Sequence, residues 1–166
     1  MNTQDLVQDA GMRQNVQPAQ EWQPLVVAGC SLAIIAALVL GVGLGSHLVL
    51  RHVVQTLPSW IAVTLGLKRS RAAGWAALPV FLFWLVLMTF IWLYLLGVSN
   101  LLSGHFTPLE IAMTVVVGIA SAVGIAAFFR LKSYLSGWAV ARIFIVLAMV
   151  QIVCFRLSLL PAIAHR

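Results

Sequence analysis

Residues 24–50 and 74–98 contain no Asp, Glu, Lys or Arg, residues 107–129 contain only Glu110, and residues 137–162 contain only Arg142 and Arg156. An α-helix needs about 20 predominantly apolar residues to cross the hydrocarbon of a bilayer, and each of these runs is long enough. Backbone amides have no water to bond inside lipid, so such runs are helical when they span. The sequence therefore predicts an all-α membrane protein. Four transmembrane helices form an up-down bundle, and a short interfacial amphipathic helix sits between the first and second spans.

The expected layout is a polar N-terminal tail at 1–23 and a first helix at 24–50. A basic connector carrying the interfacial helix occupies 51–73, and a second helix 74–98. An external loop at 99–106 leads to a third helix at 107–129, a cytoplasmic turn at 130–136, a fourth helix at 137–162 and a C-terminus at 163–166. Charged residues make up 8% of the chain, and the mean hydropathy of +1.03 lies outside the range of soluble domains. The tail is Gln-rich and acidic and leads into an apolar run too long for a signal-peptide core, so it is not expected to be a cleaved leader.

Lys and Arg in short loops are retained in the cytoplasm. In a four-span arrangement Arg51, Lys68, Arg69, Arg71, Arg130 and Lys132 all fall on one side, against Arg13 and Arg166 on the other. Both termini are then extracytoplasmic, in a multi-pass protein of a bacterial inner membrane. The pI of about 10.4 follows from this retention; the cations sit at loop edges, without the massed patch of a nucleic-acid binder.

On a helical projection of the connector, Val53, Val54, Leu57, Trp60, Ile61 and Leu65 share one arc. His52, Gln55, Thr56, Ser59 and Gly66 share the other. That pattern fits a helix lying in the interface plane, with its basic ends on anionic lipid headgroups. Pro58 is a potential break.

Small residues recur at every fourth position in the first span (Gly29, Ala33, Ala37, Gly41, Gly45) and in the third (Gly118, Ala122, Ala126). Such stripes let helix backbones approach closely, so the first and third spans are expected to pair, or to receive a helix of another protein. Thr107-Pro108-Leu109-Glu110 reads as an N-cap, a Pro at N1 and a capping-box Glu. In four spans Glu110 and Arg156 share a side, which makes an ion pair between them plausible. Trp84, near the middle of the second span, reads as lipid-facing bulk, with contact to a quinone or pigment as the alternative.

Catalytic constellations are lacking: there is no paired-carboxylate site, no Ser/His/Asp set, no HExxH and no phosphate-binding glycine loop. Cys30 and Cys154 lie within apolar runs, without metal-ligand spacing. No metal site and no resident cofactor are expected; His47, alone or with a Met such as Met149, is the candidate haem ligand, and a haem or quinone is the alternative to no cofactor. These features favour a non-catalytic accessory or anchoring subunit of a larger membrane assembly, such as an energy-converting or secretion complex. Its partners are other membrane subunits and the lipid bilayer. The alternatives are a small homo-oligomeric transporter or channel, and a haem- or quinone-binding electron-transfer subunit.

Overall fold

The computed structural model describes residues 22–99, 106–131 and 135–164. The described chain is helical, and four of its helices are long and apolar enough to cross a membrane. The first, α1 (Gln23–Ala36), has a Pro in its first turn and runs without interruption into a π-helical segment, Ala37–Gly43. Together they make 21 residues, about 31 Å at 1.5 Å per residue, enough for the hydrocarbon core. The first span thus stops seven residues short of the expected Leu50. The chain reverses through His47, whose φ of 56° puts it in the left-handed region.

α2 (Val49–Leu67) occupies the place of the expected interfacial helix, but its setting differs. It runs antiparallel to α1 along its whole length. At its start it lies against Gly43, where an added methyl would sit 3.2 Å from the Val49 Cα. At its end a methyl on Gly66 would meet the Pro24 carbonyl at 2.6 Å and the Ala28 side chain at 2.8 Å. Nineteen residues make about 28 Å of helix. The polar arc is the buried one: His52, Gln55, Thr56 and Ser59 face the bundle interior, with Ala62, Val63 and Gly66. Leu50, Leu57, Trp60, Ile61 and Leu67 are exposed. Pro58 is accommodated within the continuous helix, on the buried side.

α3 (Ala73–Leu95) returns beside α2. Its small residues Ala73, Gly74, Ala76 and Ala77 are buried at the start, and Phe81 and Trp84 in the middle. Trp84 is 1% exposed, a core residue where lipid-facing bulk was expected. It meets Phe83 edge-on at 5.4 Å, and Phe83 in turn meets Phe155 at 5.2 Å. α4 (Pro108–Arg130) begins with the expected capping box: Thr107 Oγ1 accepts from Glu110 N–H at 3.2 Å, and Glu110 Oε2 accepts from Thr107 N–H at 2.8 Å. α5 (Gly137–Ser158) is capped by Ser136, carries Arg142 over the Trp138 ring at 5.0 Å, and is followed by a single turn, α6 (Pro161–Ala164).

The close approaches fix the order of the two ends. Gly41 and Gly45 of the first span lie against Met113 and Leu109 at the start of α4. Gln55, near the start of α2, bonds Ser158 at the end of α5. Gly74 at the start of α3 lies against Phe128 and Leu131 at the end of α4. Five helices therefore alternate in direction, and Gln23 and Ser158 stand at opposite ends of the bundle. α2, which is not among the four helices long and apolar enough to cross a membrane, adds a reversal of direction between the first two of them.

Space at glycines tests this packing. Gly66→Ala pushes a methyl into α1 backbone, and Gly124→Leu collides with the Phe81 ring lying over it; each should lower stability by about 1–3 kcal/mol. Gly118→Ala, with nothing within 4 Å, should be neutral or stabilising by up to about 1 kcal/mol. Unfolding of the three variants in detergent, followed by helical circular dichroism, checks the order.

Candidate functional site

α2 and α4 do not pack against one another, although each packs on α1 and α3. Towards the end where α1 stops, the space between them is a cavity of about 290 Å³. Its polar side is formed by Ser46, Arg51, His52, Gln55, Glu110 and Thr114, and its apolar side is dominated by Leu38, Trp84, Leu87, Met88, Ile91 and Phe155. Polar groups reach it because α2 turns its polar arc inward.

Several of these groups are held locally. His52 Nδ1 is 2.9 Å from the Leu48 carbonyl, which assigns that nitrogen the proton in the neutral ring and leaves Nε2 as an acceptor. Ser46 Oγ donates to Val42 O at 2.7 Å, and Thr114 Oγ1 to Ile111 O at 2.7 Å. Gln55 Nε2 donates to Ser158 Oγ at 2.9 Å, and Ser158 donates onward to Phe155 O at 2.6 Å. Gln151 Nε2 donates to the Gln55 carbonyl at 3.3 Å. This network ties α2 to α5 through buried amides, Gln55 at 4% exposure and Gln151 at 1%. Other buried groups have no hydrogen-bond partner among the described residues: Arg51 Nε, Trp84 Nε1, Ser59 Oγ, Ser121 Oγ and Gln151 Oε1. On the outer side of α3 and α5 lies a second, open groove of about 430 Å³, apolar except for Gln151 at its wall.

The residues singled out from sequence are distributed differently than expected. Arg51 stands at the cavity end, whereas Lys68, Arg69 and Arg71, in the turn after α2, and Arg130, at the end of α4, stand at the other; Lys132 lies outside the described residues. Glu110 is engaged with Thr107, and Arg156 is exposed; no ion pair joins them among the described residues. The stripe on α1 is used at one end only. Ala37 is buried, Ala33 is partly buried, and Gly41 and Gly45 meet α4, but Gly29 faces open space. α4 meets the bundle through Val117, Ala120, Ser121, Gly124 and Ala127, while Ala122 and Ala126 point outward and Gly118 has nothing opposite. The first and third long apolar helices do pair, as expected, but through a neighbouring stripe of α4. His47 is exposed in its turn and does not line the cavity. His105 and His165 lie outside the described residues. Among the described residues no three His, Cys, Asp or Glu side chains cluster as a metal site would require.

Sequence reasoning missed the Gln55–Ser158–Gln151 network. Its signal was present in the polar arc of α2, but the partners lie about a hundred residues away on α5. No family model, no curated protein and no solved structure matches this chain.

A double-mutant cycle with Gln55→Leu and Ser158→Ala should give a coupling of about 0.6 kcal/mol, the usual size of an interhelical hydrogen bond in a membrane bundle. Unfolding of the four proteins in mixed micelles measures it. Zero coupling would mean that the bond does not form.

Proposed function

We propose that this chain is a five-pass membrane protein that takes a small amphipathic molecule into the cavity between α2 and α4, to bind it or pass it across the membrane, without chemistry on it. The observation that carries this reading is the inward polar face of α2. It turns His52 and Gln55 into a bundle whose outside is apolar and brings the half-buried Arg51 to the cavity wall, and ionisable groups within membrane bundles mark substrate or ion paths by default.

Its orientation follows from the redistributed cations. Lys68, Arg69, Arg71 and Arg130, with Arg142 in the second turn of α5, belong to the half of the bundle where α1 begins. Arg51 and Arg156 belong to the other half. Positive-inside retention then sets the start of α1 in the cytoplasm, the cavity in the external half, and the end of α5 outside, in keeping with an inner membrane. Cysteine labelling tests this in a chain freed of its own thiols by Cys30→Ala and Cys154→Ala. Ser46→Cys should react with a membrane-impermeant maleimide on intact cells, and Ser70→Cys only after permeabilisation. Equal labelling of the two positions on intact cells would return α2 to the membrane surface.

The accessory-subunit reading stands second, favoured by the outward stripe of Gly118, Ala122 and Ala126, where a partner helix has room to approach. In that case Ala122→Leu should release a partner seen by native mass spectrometry of mild detergent extracts while the bundle stays folded. A chain that travels alone before and after the change removes this reading.

A further inference from the structure

Arg51 and Glu110 are opposite charges on two helices that do not touch, facing one cavity, and neither forms an ion pair among the described residues. Among the described residues Arg51 Nε is buried without an acceptor, and so is the indole N–H of Trp84. Glu110 spends one oxygen, Oε2, on the Thr107 N–H and hydroxyl, and no hydrogen bond engages Oε1 among the described residues. Both side chains are half-buried, and a charge partly withdrawn from water gains from acquiring a counterion. Two such charges of opposite sign on the wall of one cavity of about 290 Å³ suit a guest with both charges of its own. Opposite the polar groups stand Leu87, Met88 and Ile91, which require an apolar body.

We infer that the cavity binds an amphipathic zwitterion, its acid on Arg51 and its primary amine on Glu110, with its apolar part against Trp84, Met88 and Ile91. This rests on the cavity reading above and adds the ligand class. Guanidinium suits a phosphate or carboxylate because its N–H fork matches two acceptor oxygens. Two sources share this chemistry: an aminophospholipid entering from the bilayer, and a free amino acid with an apolar side chain entering from water.

The test uses the full chain in detergent and two matched pairs of probes. Phosphatidylethanolamine is compared with phosphatidylglycerol of the same acyl chains by native mass spectrometry. Leucine is compared with 4-methylpentanoate, which lacks only the amine, by isothermal titration. In one pair the amine-bearing member should bind at least about tenfold more tightly, and which pair responds identifies the source. Glu110→Gln should erase that preference to within about twofold. Gln at this position still closes a capping box, so the helix start is kept while the charge is lost. Arg51→Gln should weaken the amine-bearing ligand by about tenfold or more; Arg51 lies in the first turn of α2, where a cation opposes the helix dipole, so its removal does not harm the helix. The inference is overturned if neither pair shows an amine preference, or if the preference survives Glu110→Gln. The labelling of Ser46→Cys and Ser70→Cys is independent of both results, so a failed ligand class and a failed topology are told apart.

Discussion

Hydrocarbon offers no hydrogen bonds, and the arrangement of this bundle follows from that constraint acting on α2. Its apolar arc lies on the outside of the bundle, whereas His52, Gln55, Thr56 and Ser59 need partners that an apolar surrounding lacks. Turned inward, Gln55 finds Ser158, the Thr56 hydroxyl finds the Val53 carbonyl at 3.1 Å, and the Gln55 carbonyl receives Gln151. The helix is inverted relative to one in a soluble protein, with its polar side in and its apolar side out. α1, α3 and α5 surround its inner face, so its polar groups become the polar interior of the whole assembly.

The cavity is a consequence of the same placement. α2 and α4 both lean on α1 and α3 without meeting, and the π-helical end of α1 gives way to a turn beside the gap. π segments are frequent at functional sites because they shift the side-chain register of a helix locally. Trp84 and its edge contact to Phe83 close the gap from one side, and Phe155 closes it from α5. What stays open is lined by a cation and an anion held by different helices, which sets it apart from an apolar pocket.

Small residues set how close the helices come, and the selection among them is steric. Gly66 and Gly124 lie where another chain segment occupies the space a methyl would take, whereas Gly29 and Gly118 face nothing within 4 Å. A stripe of small residues permits close packing without requiring it. On α4 two stripes run side by side, and the one containing Gly124 is used because the Phe81 ring of α3 fits over it.

The sequence by itself determined the four long apolar helices, the capping box at Thr107 and Glu110, and the amphipathic character of residues 52–67. Apolar length, cap chemistry and periodicity are local properties, readable without knowing what stands nearby. Only the tertiary structure decided which medium meets the polar arc of α2, because a helical projection shows two faces and not what lies beyond them; water at a membrane surface and a polar bundle interior satisfy the same pattern. From that one choice came the pairing of Gln55 with Ser158, the separation of Arg51 from Lys68, Arg69 and Arg71, the opposite placement of the two ends of the bundle, and the meeting of Arg51 and Glu110 at one cavity. Each depends on contacts between residues far apart in the chain, which no local pattern encodes.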